Sequence, residues 1–212
     1  EKGTKGVLIP VHINPWGNCD LRDTVCQKSN ASLAAVNFIW QYEFTQDLEF
    51  LKNTAYPYIM ECAEFWEDNI CLEDERYVVA EAAQRERWPG DRNPNSDLAH
   101  VRKIFDAALR WSQTLRVDAD KRSHWREVID NLSDYPTMVY EDKIVFKEAE
   151  NRNQISFIGV GDNPVNLDHV YPIEALEMQT DEKLGIIARN TVEIMNSWNQ
   201  DNAFPRIFSQ AV

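Results

Sequence analysis

The chain has 212 residues, 43% of them hydrophobic and 27% charged, an ordinary globular composition with enough apolar side chain for one sizeable core. Its formal charge is -13, so it repels phosphate backbones and anionic lipid, which leaves no nucleic acid and no membrane surface among the expected partners and keeps neutral ligands open. No run approaches the roughly 20 apolar residues of a membrane span.

The chain opens "EKGTKGVLIP", with neither an initiator Met nor a signal-peptide pattern, so its compartment is not read from that end. Its four cysteines are Cys19, Cys26, Cys62 and Cys71. They form no C-x-x-C pair and the His residues are scattered, so no metal site and no cofactor are expected. Cys62 falls in an apolar helical pattern and reads as a buried thiol. Cys19 and Cys26 can pair in an oxidising compartment, although the count does not suit a disulfide scaffold.

"SNASLAAVNFIWQYEFTQ" predicts a first helix capped at Ser29 or Asn30, with Leu33, Val36, Ile39, Trp40 and Phe44 on its apolar face. A second helix follows almost without a loop, capped at Thr45 or Asp47. Its face holds Leu48, Leu51, Ala55, Tyr58, Ile59, Cys62, Phe65 and Trp66. Pro57 interrupts this pattern, which predicts a kink or irregular turn near Ala55, because proline lacks an N–H and crowds the preceding turn.

Residues 72–95 read as a long loop, with "EDERY" a solvated turn and Trp-Pro-Gly and Asn-Pro as loop signals. Loops of this length in compact domains often carry function. Asn95 or Ser96 then caps an amphipathic helix through Leu115, and "DADKRSHWREVIDNL" gives a shorter one. "TMVYEDKIVFKEA" predicts a hairpin turning at Glu141–Asp142, and "NQISFIGV" another short strand. "DNPVNLDHVYPIEAL" is a loop leading into a short helix. "TDEKLGIIARNTVEIMNSW" is a further helix capped at Thr180 or Asp181, and "NAFPRIFSQAV" begins one more.

The expected architecture is therefore all-α with a small β hairpin, one domain over 1–212 built of antiparallel helical hairpins. No fixed-period repeat is present, which leaves an α/α toroid or a general helical bundle.

Four stretches, in order, resemble glycoside hydrolase family 95, the six-hairpin glycosidases of α-L-fucosidase and α-galactosidase type. "VHINPWG" resembles that family's V-H-x-N-x-x-x-W-G stretch, with a shorter gap. "NASLAAVNFIWQYEFTQDLEFLKNTAYPYIMECAEFWED" resembles its aromatic helix pair, with Tyr-x-Phe-Thr-x-Asp and then Tyr-Pro. "SDLAHVRKIFDAAL" resembles the helix after its acid-bearing loop. "LDHVYPIEAL" resembles its Ser-His-Leu…Tyr-Pro segment, matched at His169.

The resemblance implies a segment of an (α/α)6 toroid, part of a larger catalytic domain whose missing segments are a partner of this chain. It also implies inverting hydrolysis of a fucoside or galactoside, an oligosaccharide or polysaccharide substrate, and a periplasmic or secreted location. One departure stands out. The family's Ser-Pro-Glu-Asn motif, whose Glu is the general acid, is replaced by "AEAAQRERWPGDRNP". An inactive carbohydrate-binding relative is therefore an alternative, as is a helical protein-interaction module.

An inverting glycosidase needs two carboxyls about 6.5–9.5 Å apart, one of them protonated. Glu86 is the candidate acid: Trp88 beside it can desolvate it, whereas Arg85 and Arg87 would lower its pKa. Glu81 is second. The plainer reading of both is a loop carboxylate in a salt bridge. His12, Asn14, Trp16 and Trp88 are the candidate sugar contacts, because indoles stack on sugar faces and Asn and His bond hydroxyls. Trp16 can equally cap the core. His169, following Asp168, is either a substrate contact held by a carboxylate or a structural histidine.

Overall fold

The computed structural model describes residues 3–11, 14–17, 27–83, 89–152, 165–176 and 182–195. These residues are mostly helical, with two small antiparallel hairpins. The predicted strand at 153–160, the caps at Thr180 and Asp181, the last helix and the Cys19–Cys26 pairing fall outside them.

Helix α1 (Asn30–Thr45) is followed by a short α2 (Leu48–Phe50) whose Asp47 cap accepts from the N–H groups of Glu49 and Phe50. A π turn over Leu51–Ala55 then leads into α3 (Tyr56–Glu67). The irregularity expected at Pro57 thus takes the form of one widened turn, closed by the Tyr56 N–H to Leu51 O bond. It places the proline in the first turn of α3, where a missing N–H costs little.

The buried stripe of α1 differs from the expected one. Ala31, Ser32, Ala35, Val36, Ile39 and Tyr42 face inward, while Leu33 and Phe44 are exposed. Small residues let α1 approach α3 closely, and Ser32 Oγ accepts the Trp66 indole N–H at 2.8 Å. On the outer side Phe38 stacks between Phe50 and Tyr58, with centroids 6.2 and 4.7 Å away.

The stretch read as a solvated turn is a hairpin, β1 (Cys71–Glu73) and β2 (Arg76–Val78). Its two-residue turn, Asp74–Glu75, has positive φ at both positions. That conformation matches the twist of a tight hairpin, but it normally announces itself by Asn-Gly or Asp-Gly. The second hairpin, β3 (Thr137–Tyr140) and β4 (Lys143–Phe146), turns where expected.

Helix α4 (Asn95–Leu115) is the central post, packed against α1, α3 and α5 (Arg122–Asn131). Its predicted apolar face is buried from Leu98 to Trp111. The cap position is Pro94 rather than Asn95 or Ser96, so the helix starts one residue earlier and both polar side chains become interior groups. A 3-10 turn (Val165–Leu167) crosses the start of α4, and α6 (Glu182–Met195) covers β4. From Asp168 to Leu176 the chain is a run of turns and bends, as expected of a loop leading into a further element, and Glu174 is left-handed at φ 54. Cys62 is a free, buried thiol, pushed up to about 12 mainly by that burial; Cys71 is free and exposed. Among the described residues no helix is long and apolar enough to cross a membrane.

The N-terminal segment lies on α3, where the Val7 N–H reaches Glu61 O at 3.2 Å. Gly6 has φ +72, and a Cβ there would stand 2.1 Å from Glu61 O and 2.5 Å from Phe65 N. Both are backbone atoms of a helix and cannot yield cheaply. Gly6→Ala is expected to destabilise the fold by roughly 1–3 kcal/mol, read as a lower midpoint in urea. An unchanged midpoint would mean that this segment is not seated on α3.

Candidate functional site

The starts of α1 and α4 and the 165–173 turns converge on a cavity of about 240 Å³. Ser29, Asn30, Ser96, His100, Asp168 and Ile173 contribute to its wall. The volume suits one sugar ring rather than a chain, and Leu33, Pro172 and Ile173 give its wall an apolar part beside the polar groups. Asn30 is set by two bonds: its Oδ1 accepts from Gln27 at 2.7 Å and its Nδ2 donates to Ile9 O at 3.2 Å. His100 Nδ1 lies 2.8 Å from Ser96 O. A carbonyl only accepts, so Nδ1 carries a proton.

Beneath this wall is Asp97, 1% exposed in the first turn of α4. Burial raises its pKa to about 7; the Ser29 hydroxyl and the Lys28 ammonium act against that rise, and Asp91 adds to it. Lys28 Nζ donates to Ala80 O at 2.8 Å, which ties the entry of α1 to the 79–93 loop. Nothing in the sequence pattern singled out Asp97. A carboxylate at the start of a helix usually reads as an exposed dipole partner, and its burial is a tertiary fact.

The 79–93 loop leaves and returns as a paired stem. Ala82 N–H donates to Asp91 O at 3.1 Å and Asp91 N–H to Ala82 O at 2.8 Å. Nearer the base, Asn93 Oδ1 accepts the Val79 N–H at 2.8 Å. Glu81 is exposed on this stem with φ 48. Glu86 and Trp88 belong to the part of the loop outside the described residues, and His12 in the N-terminal segment lies outside them too.

Asn14 and Trp16 share a tight turn, Asn14 Oδ1 accepting the Trp16 N–H at 3.0 Å. Trp16 is 82% exposed, so it does not cap the core. His169 is placed differently from the expectation of a carboxylate-held contact. It is fully buried, neither ring nitrogen has a hydrogen bond, and it packs 4.5 Å from the Tyr135 ring and 4.3 Å from Phe146. Burial first and Arg102 second lower its pKa to about 3, so it is neutral. Its neighbour Asp168 is the one that reaches the cavity. Among the described residues, no group of three or more His, Cys, Asp or Glu is placed to hold a metal ion.

The family model of the Glycosyl hydrolase family 95 catalytic domain matches residues 1–145. That span contains α1 to α5, the 79–93 loop and the Trp16 turn; it excludes the His169 segment, which the sequence resemblance had included. No curated protein matches the chain.

Proposed function

The chain belongs to glycosyl hydrolase family 95, and from that membership we propose that it hydrolyses a fucoside or galactoside by inverting acid/base chemistry within an (α/α)6 toroid. Membership itself implies a glycoside hydrolase acting on carbohydrate. The observation that supports the finer reading is the small cavity at the starts of α1 and α4, where Asn30, Ser96, His100 and Asp168 meet apolar groups. A site of this kind holds one sugar by hydroxyl contacts while a loop carboxyl reaches the bond to be cut.

In this reading Glu86 donates the proton to the leaving oxygen, with Glu81 the second candidate. Asn30, Ser96, His100 and Asp168 bond hydroxyls of the bound sugar. His12, Asn14, Trp16 and Trp88 line the approach, the exposed Trp16 indole offering a stacking face.

A second reading, a carbohydrate-binding relative without turnover, is favoured by one observation. The loop lacks the Ser-Pro-Glu-Asn arrangement and puts arginines on both sides of Glu86. Incubation with aryl fucosides, aryl galactosides and a polysaccharide panel separates the two. Aryl alcohol release is expected from a fucoside or galactoside. Sugar binding in the calorimeter without release would favour the binding relative, and neither would remove the carbohydrate reading.

A further inference from the structure

Residues 147–152, which follow β4 and lie beyond the family match, close the base of the 79–93 loop. The Glu150 N–H donates to Arg92 O at 2.8 Å, and Glu148 O accepts the Asn95 N–H at 2.8 Å. Asn151 holds two points at once. Its Oδ1 accepts the Arg92 N–H at 2.9 Å, and its Nδ2 donates to Gly90 O at 2.7 Å. Arg152 Nε donates to Asp91 Oδ1 at 2.5 Å, and Asp91 is 1% exposed. Glu150 accepts from Arg76 at 2.9 and 3.1 Å and from Asn93 Nδ2.

Three successive side chains thus hold the returning limb of the loop from residue 90 to residue 93. Two of these contacts are to main-chain atoms, which fix where the loop runs whatever its side chains are. The charge pairs around Glu150 are half open to water, with side-chain exposures of 41% for Arg76, 35% for Glu150 and 30% for Arg92. Pairs so exposed add little to global stability. Their geometric effect is larger, because a reacting group displaced by about 1 Å loses much of its rate.

We propose that Glu150, Asn151 and Arg152 form a clamp that fixes the returning limb of the loop at residues 90–93, and that they are positioning residues for the hydrolysis proposed above. The positioning role rests on the loop carrying the acid; the clamp itself does not.

The test compares the whole chain with Asn151→Ala, Arg152→Met and Arg152→Lys. Amide exchange by mass spectrometry is expected to speed up by at least about tenfold in 79–93 in the first two variants, with the α3 and α4 cores unchanged. On an aryl glycoside kcat is expected to fall by at least about tenfold while KM stays within about twofold, and Arg152→Lys, which keeps the charge facing Asp91, is expected to recover part of it. Unchanged exchange in 79–93, or an increase spread over the whole chain, would overturn the clamp. Loosened exchange with full turnover would overturn the positioning role. A wild-type chain without turnover would remove the glycosidase reading and that role together, and the exchange data would still decide whether the clamp exists.

Discussion

Glu86→Gln is expected to lower turnover of a fucoside or galactoside by roughly 10²–10⁴-fold, the usual contribution of a positioned general acid. Gln keeps the shape and the hydrogen-bonding capacity of the side chain but has no proton to give. The loss should be greatest for substrates with poor leaving groups, which need protonation most, and smaller for an activated aryl glycoside. The alkaline limb of the kcat/KM profile should disappear with it. KM should change little, because the acid acts on the bond rather than on the sugar's hydroxyls. If Glu86→Gln keeps full turnover and Glu81→Gln loses it, the acid is the stem residue. If both variants keep it, neither loop carboxyl is the acid.

Asp97→Asn is expected to change the pH dependence of stability above about pH 5. The carboxyl has an ordinary value of 3.8 and is raised to about 7 in the fold, chiefly by burial. Below the lower value it is protonated whether the chain is folded or not, and it favours neither state. Between the two values the folded chain keeps a proton that the unfolded chain has lost, so stability falls as pH rises. Above the upper value the whole difference is lost, on the order of 4 kcal/mol. Asn does not titrate. The variant should therefore gain on the wild type by on the order of 3 kcal/mol between about pH 5 and pH 8, measured by urea unfolding. A constant difference across that range would mean that Asp97 ionises normally and is not enclosed beneath the cavity wall.

The buried carboxyl also shows why the sequence carried the fold better than the site. Pro57 and Asp47 act through local chemistry, a missing N–H and a capping oxygen, so the irregular turn and the start of α2 were legible. The periodic face of α4 was legible for the same kind of reason. The β1–β2 hairpin was not, because Asp74 and Glu75 adopt positive φ without the glycine that usually marks such a turn. On α1 apolarity pointed to Leu33 and Phe44, whereas close helix packing selected Ala31, Ser32 and Ala35. At the site, Asn30, Ser96, His100 and Asp168 come together from three separate segments, and no spacing in one stretch announces them. Asn14 and Trp16, singled out by their chemistry, are exposed, while His169, singled out by a motif, is buried.

The central claim is inverting hydrolysis, and the stereochemistry of the first product tests it most directly. Proton NMR followed from the first minutes of hydrolysis of an α-linked aryl fucoside or galactoside resolves the two anomers of the released sugar before they interconvert. The β-anomer is predicted to appear first and the α-anomer only later, by mutarotation. The α-anomer appearing first, or no sugar released from either substrate class, would contradict it.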